Sequence, residues 1–483
     1  MLRAVERPFA ALARRPGLAV LVCGCISFTT NAAVSLLGGI PPPRVHDEFS
    51  YLLQADTFAH GRLTNPTHPL WVHFESMHII HQPTYASKYP PAQGLMLALG
   101  QIMTGEPIVG AWLSGALASA AICWLLLGYL RPRWAVLGGI LAALHPLLLA
   151  WSQSYWGGAV AACGGALLLG AARRLRLNAQ PRNALLLAIG LAILANSRPF
   201  EGLVFALLVL VPLVLHRKNG DWLSSSSCLS PFLQQALKTS LIKILVPACA
   251  ILIPTAVWMG YYNWRVTGDV LNLPYQVHAS AYAVAPPLLW QAARPEPVYR
   301  HKELRDLYVG WELPPYVEQR TPYGFVAGAL RKFQTLVHTY FPILAFQIPL
   351  LALPWMLNHR RTRLALMLAA LFFLALCGET WLQPHYAAPI LGLLVLLSVQ
   401  GLRAVRVWRW RGRHAGAVLV RSSLLVHAAL LASFCVTLSQ QAGGGWAQDR
   451  ARIVRELAQQ PGRHLVIVRY GPHHVPHDEW VYN

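Results

Sequence analysis

Residues 46–63 read HDEFSYLLQADTFAHGRL, and they follow closely on the first long apolar run of the chain, residues 17–39. The apolar side chains in this stretch recur at helical spacing. Asp47 and Glu48 therefore fall at the start of a predicted helix, where the helix dipole favours negative charge. Two acids in this place indicate either a helix N-terminus or a general base held at a membrane face, and one residue can serve both purposes.

The composition places this stretch in a membrane protein. The chain has 483 residues, of which 55% are hydrophobic and 12% charged, against roughly 25% charged residues in soluble proteins. The mean hydropathy is +0.41. These values exclude a soluble enzyme, a disordered chain and a nucleic-acid-binding domain as first interpretations. They predict an all-α polytopic membrane protein with no nucleic-acid partner.

Apolar runs long enough to cross a bilayer require about 20 residues each. Allowing for short runs, the hydropathy pattern predicts eleven transmembrane helices, at residues 17–39, 107–129, 134–152, 157–172, 183–196, 202–216, 241–260, 336–357, 364–378, 386–402 and 422–440. We expect the first of them to be retained as an anchor, because it is followed by no small-residue cleavage site.

The basic residues indicate the orientation of these spans. Of the 40 Lys and Arg residues, 23 fall in segments on the same side as the N-terminus, whereas the short loops on the other side contain only Arg198. Because short cytoplasmic loops collect Lys and Arg, we expect a cytoplasmic N-terminus in the inner (plasma) membrane. The first long loop (residues 40–106), and with it the candidate active site, would then face the periplasm.

The polar residues divide the chain into two regions. A transmembrane domain is predicted for residues 1–440, with the first long loop (40–106) and the second long loop (261–335) on the outer side. The first long loop should end in a helix at 91–104 that lies along the membrane surface. The remaining residues, 441–483, predict a short periplasmic α/β tail with a helix at 449–459 and a strand at 464–470.

Two cations on the outer side are candidates for binding phosphate. Lys88 stands in SKYPPAQG, where the proline pair stiffens the backbone next to it. Its neighbour Tyr89 belongs to the same candidate binding segment. Arg198, in NSRPFEG, either pairs with Glu201 or supplies a fork of donors to phosphate oxygens.

His385 and Tyr386, in GETWLQPHYAAP, are further candidates for substrate binding, although such pairs also form interface belts. Six histidines lie in the first long loop: His46, His60, His68, His73, His78 and His81. A divalent metal is therefore conceivable, but no HExxH motif or helical i, i+4 pair of histidines occurs among them. No cofactor and no metal ligand are predicted. The eight cysteines form no CxxC pair, so no structural zinc site is expected.

Three segments resemble the GT-C glycosyltransferases, in particular the branch of the protein O-mannosyltransferases and the lipid A aminoarabinose transferase. The segment 46–63 is similar to the D-E-x-x-Y-x-x-x-A opening of that branch. The run KYPPAQGLMLALGQ, from Lys88, is similar to its K-P-P segment, with Tyr89 inserted before the prolines. QPHYAAP, at 383–389, is similar to its late (H/R)-Y-x-L-P segment.

The resemblance implies a GT-C bundle and transfer of a sugar from a polyprenyl-phosphate donor to an acceptor hydroxyl, with inversion at the anomeric carbon. It implies that Asp47 is the general base, that Glu48 supports it and that Lys88 holds the donor phosphate. The assignment of Arg198 as a second phosphate contact rests only on its positive charge and on its predicted position on the outer side of the membrane. Membrane lipids and a lipid, glycan or protein acceptor would be the other partners.

Two alternative functions remain open. A transporter or flippase would place ionisable residues near the middle of the bilayer, whereas the predicted spans contain almost none. A polysaccharide ligase or polymerase would use a lipid-diphosphate-linked glycan and a basic outer loop. The second long loop, with Arg294, Arg300, Lys302 and Arg305, keeps that alternative open.

Overall fold

A computed structural model describes residues 9–219, 231–441, 445–471, 474, 478, 480 and 481. The protein is almost entirely helical, as expected. Its α-helices are Pro16–Gly38, His46–Ala59, Pro91–Thr104, Ile108–Leu127, Pro132–Ala143, Pro146–Ser152, Gly158–Leu177, Pro181–Ala195, Pro199–Asn219, Pro231–Thr267, Pro274–Tyr282, Lys302–Arg305, Leu313–Gln319, Pro322–Tyr340, Leu344–Gln347, Leu353–Asn358, Arg360–Cys377, Leu391–Arg406, Ala415–Gln441 and Trp446–Ala458.

Short elements complete the fold. Short 3₁₀ or π segments occupy Trp71–His73, Asp306–Trp311, Ile348–Ala352 and Pro384–Ile390. Two strands, Ile79–Ile80 and Ala86–Ser87, form an antiparallel pair in the first long loop. Many of the helices begin at a proline, which has no N–H to leave unpaired there and is pre-set to the helical φ. The many prolines of the sequence thus mark helix starts in this fold.

The expected number of eleven spans is not confirmed. Among the described residues, six helices are long and apolar enough to cross a membrane, or eight if each of two bent pairs is one span. The predicted span 134–152 is bent by 48° before Pro146, and the region of the predicted span 336–357 is bent by 119° between Tyr340 and Leu344. Prolines cause such breaks because the ring clashes with the preceding helical turn. The predicted spans 183–196 and 202–216 correspond to short apolar helices, Pro181–Ala195 and Pro199–Leu213.

One large apolar core holds the helices together. Leu125 and Leu168 are completely buried in it, and Leu391 is 1% exposed. Small residues let helices approach closely, as at Gly165, where an added Cβ would lie 1.9 Å from the carbonyl oxygen of Pro389. Outward-facing apolar side chains such as Leu21, which is 60% exposed, are suited to contact with lipid.

Two helices of the first long loop carry the candidate site. The acid helix (His46–Ala59) and the surface helix (Pro91–Thr104) cross at Gly94, where an added Cβ would lie 2.3 Å from Oε1 of Gln54. The surface helix begins and ends where the sequence predicted. It buries Leu97 and exposes Ile102 and Met103 by more than 60% each, as expected of a helix lying along a membrane.

The tail differs from its expected α/β form. The helix Trp446–Ala458 is present, but residues 464–470 form no strand and pair with no other segment of a sheet. A strand is defined by ladder hydrogen bonds to a neighbouring strand, and none of the described residues supplies one. The division into a domain at 1–440 and a tail at 441–483 stays a prediction.

Candidate active site

Asp47 lies in the first turn of the acid helix and is the most exposed of the acids at its start. Its side chain is 28% exposed, whereas Glu48 is buried. Tyr89 donates a hydrogen bond to Oδ1 of Asp47. The second oxygen, Oδ2, lies 3.4 Å from Nδ1 of His46 and 3.8 Å from Nε2 of His78. Burial favours a raised pKa for Asp47, but His78, His46 and Lys88 outweigh it and hold the pKa well below its usual range.

Glu48, unlike Asp47, is buried and accepts hydrogen bonds from backbone N–H groups. Its Oε2 accepts hydrogen bonds from the backbone N–H groups of Arg44 and Val45, at 2.7 and 3.3 Å, and its Oε1 accepts one from Tyr155, at 3.0 Å. Burial raises the pKa of Glu48, against these three hydrogen bonds. Both oxygens are thus engaged in fixing the start of the acid helix against a distant turn of the chain.

His78 links Asp47 to Lys88. The Nζ of Lys88 lies 2.7 Å from Nδ1 of His78, on the side of the ring away from Asp47. If the ammonium donates to Nδ1, the neutral ring carries its proton on Nε2, which faces the carboxylate. His78 has a left-handed backbone with φ of 64°, a strained conformation for a residue other than glycine. Its carbonyl oxygen accepts hydrogen bonds from Ser50 Oγ, at 2.8 Å, and from the N–H of Lys88, at 3.3 Å.

Lys88 is enclosed by aromatic rings. It is 7% exposed, and its Nζ lies 5.2 Å from the ring centroid of Tyr89 and 5.3 Å from that of Tyr275. Burial lowers the pKa of this amine, while the carboxylates of Glu312 and Asp47 act in the opposite direction. A cation held in such a weakly hydrated place interacts strongly with any anion that enters it.

Arg198 lies on the turn next to the surface helix. The N–H of Ala92, at the start of that helix, donates to the carbonyl oxygen of Asn196, at 2.9 Å. The guanidinium of Arg198 pairs with Glu201, at 3.6 Å, and lies 4.6 Å from the ring centroid of Tyr386. The pair that the sequence offered as a structural alternative is therefore formed, and the guanidinium also contacts a predicted binding residue.

His385 and Tyr386 lie beside Arg198 at the start of the helical segment 384–406. The ring of His385 is 4.8 Å from that of Trp156 and 5.0 Å from that of Tyr386, measured between centroids. The side chain is buried, and its Nδ1 has no hydrogen-bond partner among the described residues. Since buried polar atoms are nearly always hydrogen-bonded, this nitrogen is suited to contact with a bound ligand.

Sequence reasoning missed two residues of this neighbourhood. His78 was one of six loop histidines with no spacing to set it apart. Glu312, in the second long loop, directly follows the π-helical segment Asp306–Trp311, a kind of turn that is frequent at functional sites. Burial raises the pKa of Glu312 to about 7; Lys88 lowers it and Asp47 adds to the rise, so its charge interacts with both groups.

A metal ion is a second use that this cluster allows. His46, Asp47 and His78 offer ligand atoms that lie within 4.8 Å of one another. Two imidazoles and a carboxylate are a common donor set for zinc. However, the ammonium of Lys88 lies 2.7 Å from the other nitrogen of His78, and a cation in that place disfavours a second one.

The fold is similar to that of a solved membrane protein, ArnT. The chain aligns over 95% of its length with ArnT from Cupriavidus metallidurans bound to undecaprenyl phosphate, with a TM-score of 0.51, and covers 83% of that protein. The chain has a GT-C fold. The apo form of the same ArnT aligns with a TM-score of 0.50, over 95% of this chain and 82% of its own. The sequence identities are 13% and 12%.

The relationship is one of fold. No protein-family model matches the sequence. A comparison with curated protein sequences also finds no match. The GT-C fold is the one that the resemblance of three short segments implied, so that expectation is confirmed, together with a multi-pass helical protein of membrane type.

Proposed function

We propose that the protein is a membrane glycosyltransferase that transfers a hexose or pentose from a polyprenyl-phosphate donor to an acceptor hydroxyl. The observation that carries the proposal is the row formed by Asp47, His78 and Lys88, a carboxylate and a cation joined through one imidazole. Its support is the GT-C fold shared with an ArnT bound to undecaprenyl phosphate. We place the site at the periplasmic face of the inner membrane, because the distribution of Lys and Arg favours a cytoplasmic N-terminus.

In the reaction, the acceptor oxygen attacks the anomeric carbon and the bond from that carbon to the phosphate oxygen breaks. The configuration inverts because attack and departure occur on opposite faces of the sugar in one displacement. The acceptor proton passes to Oδ2 of Asp47, since Oδ1 already accepts the hydrogen bond from Tyr89. The low pKa of Asp47 keeps it ionised before the reaction, and the acceptor hydroxyl becomes acidic only as its bond to carbon forms.

The departing polyprenyl phosphate gains one negative charge. Lys88 would contact the phosphate and stabilise that charge, and Arg198 would supply a second contact through its guanidinium. The buried His385, with its unpartnered Nδ1, and Tyr386 would contact the sugar or the phosphate from the other side. Preplaced cations in a site with little water act most strongly on charge that develops in the transition state.

The test is sugar transfer by the purified protein in lipid nanodiscs, supplied with a panel of undecaprenyl-phosphate hexoses and pentoses. Asp47→Asn should lower kcat by roughly 10²–10⁴-fold, the usual contribution of a general base. The matched control is Asp56→Asn on the same helix, because Asp56 is 51% exposed. Lys88→Ala should raise the donor KM and lower kcat, with Lys302→Ala, 82% exposed, as its control.

Two outcomes would contradict the proposal. If Asp47→Asn kept full activity, Asp47 would not be the general base. Transfer of a glycan from a lipid diphosphate, with no use of any lipid-monophosphate sugar, would favour the ligase or polymerase alternative. That alternative is less well supported because Arg300 and Arg305 of the second long loop are already paired, with Glu75 at 3.2 Å and Glu296 at 2.7 Å.

A further inference from the structure

A cavity of about 120 Å³ lies between the first and second long loops. It has space for on the order of eight water molecules. Its walls combine three aromatic rings with a small number of polar groups: Trp71, Tyr282, Tyr299, Glu75, His81 and Arg300. Apolar walls with a few fixed polar groups are typical of sites for small organic ligands.

Glu75 is the fixed polar group of this cavity. Its side chain is only 3% exposed, and Tyr282 donates to its Oε1 at 2.8 Å. Arg300 donates to the same oxygen at 3.2 Å, and His301 lies 3.9 Å from Oε2. Tyr299 in turn donates to the carbonyl oxygen of Tyr282, at 2.7 Å. The carboxylate is therefore held in one orientation before any ligand binds.

The charges of the cavity favour a neutral ligand. The carboxylate of Glu75 opposes an anion, and the guanidinium of Arg300, which is 52% exposed and lies 5.0 Å from the Trp71 ring centroid, opposes a cation. A carboxylate accepts hydrogen bonds and a guanidinium donates them, so together they match hydroxyl groups, which do both. Aromatic rings provide flat apolar surfaces for the C–H faces of a ring.

The cavity lies close to the proposed general base. His278 forms part of its wall, and the ring centroid of His278 is 6.1 Å from that of His78. Nε2 of His78 lies 3.8 Å from Oδ2 of Asp47. Tyr308 fixes His278 from behind, with its hydroxyl 3.2 Å from Nε2. His278 and His78 thus form a series of two imidazoles that leads from the wall of the cavity to the carboxylate of Asp47.

We infer that this cavity binds a saccharide unit of the acceptor, so that the acceptor is a glycan or a glycan-bearing molecule. The inference rests on the proposed glycosyl transfer and adds the substrate class to it. The cavity is built by the two long loops, and the phosphate-binding candidates Lys88 and Arg198 are absent from its wall. The acceptor, which attacks the donor sugar on the face opposite to the phosphate, is therefore the substrate that the cavity is placed to hold.

The first experiment measures binding without catalysis. Saturation-transfer NMR on the nanodisc-embedded protein would use the methyl glycosides of glucose, galactose, mannose and N-acetylglucosamine as probes. We expect at least one of them to bind and to lose affinity by about tenfold in Glu75→Gln, the usual effect of losing a hydrogen bond to a charged group. Glu296→Gln, an exposed carboxamide substitution in the same loop system, is the matched control.

The second experiment separates the two substrates. In steady-state transfer to a glycan acceptor, Glu75→Gln and Trp71→Ala should raise the acceptor KM by tenfold or more and leave the donor KM within about twofold. Tyr282→Phe keeps the ring and removes one hydrogen bond, so it should give a smaller rise of the same kind. Thermal unfolding of each variant shows whether a loss of fold contributes.

The outcomes are distinguishable. Transfer by the wild type with no binding of any methyl glycoside would overturn the inference and leave the proposed function intact. A rise in the donor KM alone would assign the cavity to the donor sugar and also overturn it. Glycoside binding that depends on Glu75, in a protein that transfers no sugar from any donor, would overturn the proposed function and leave a saccharide site.

Discussion

Tyr89 donates a hydrogen bond to Oδ1 of Asp47, across 42 residues of sequence. Tyr89 is the residue that interrupts the Lys-Pro-Pro segment, so this departure from the GT-C pattern places a donor on the proposed general base. Its ring stacks on that of Tyr51, with centroids 4.5 Å apart, which fixes the direction of the hydroxyl. Burial and the charge of Asp47 raise the pKa of Tyr89 well above its usual range, so the hydroxyl keeps its proton.

Tyr89→Phe should lower kcat by roughly tenfold, because Asp47 loses the hydrogen bond to Oδ1 that orients Oδ2 toward the acceptor hydroxyl. Loss of the donor destabilises the ionised carboxylate and raises the pKa of Asp47. The acidic limb of the pH profile of kcat should then shift to higher pH. Tyr323→Phe, at a position 85% exposed, is the control. An unchanged profile in Tyr89→Phe would show that the hydroxyl has no influence on the reacting carboxylate.

Glu312 predicts a second pH effect, on donor binding. Burial raises its pKa to about 7, so this carboxyl is neutral below that pH and becomes an anion above it. The anion interacts with the ammonium of Lys88 and opposes the donor phosphate, so the donor KM should rise as the pH passes through 7. Glu312→Gln should keep the low KM and abolish this dependence. Glu318→Gln, at an exposed acid 47% accessible, should retain it.

A donor KM with the same pH dependence in wild type and Glu312→Gln would contradict this assignment. The sign is informative, because an essential base with a pKa near 7 would give the opposite behaviour. In that case kcat would rise with pH and the glutamine variant would be inactive at every pH.

The sequence predicted the fold class because composition and hydropathy alone require helices that bury or shield their backbone in lipid. Asp47 and Lys88 could be singled out because each stands in a short segment next to a helix start. His78 and Glu312 could not, since they reach this site from an irregular loop and from a π-helical turn about 230 residues further on. The predicted number of spans is not confirmed, because apolar runs do not reveal where a proline, such as Pro146, bends a helix.

Metal removal gives a further prediction. Transfer should continue in the presence of EDTA, because in the proposed mechanism Lys88 and Arg198 supply the positive charge to the phosphate, and the ammonium of Lys88 lies 2.7 Å from one nitrogen of His78. Activity and bound metal, measured by mass spectrometry before and after chelation, check this. His46→Gln removes one of the three ligands in the cluster of His46, Asp47 and His78 without touching Lys88. Loss of activity on chelation, restored by zinc in the wild type but not in His46→Gln, would show that the cluster holds a required metal.

The tail supplies the last prediction, because it contacts the acid helix directly. The guanidinium of Arg450 lies 4.1 Å from the ring centroid of Phe49, the residue after Glu48, and its Nε donates to the carbonyl oxygen of Trp480 at 2.9 Å. A cation over an aromatic ring contributes about 0.5–2 kcal/mol. Phe49 is 3% exposed, so a shift of its ring would move the first turn of the helix that carries Asp47.

Arg450→Ala should therefore lower kcat about three- to tenfold with the acceptor and donor KM values little changed, the signature of a positioning residue. Arg450→Lys keeps a cation over the ring and should restore part of the activity. Arg452→Ala is the control, because Arg452 lies on the same helix, is 57% exposed and pairs with Asp449 and Glu456 of its own helix. If Arg450→Ala and Arg452→Ala have equal activity, the tail does not position the acid helix, and its contact with Phe49 serves stability alone.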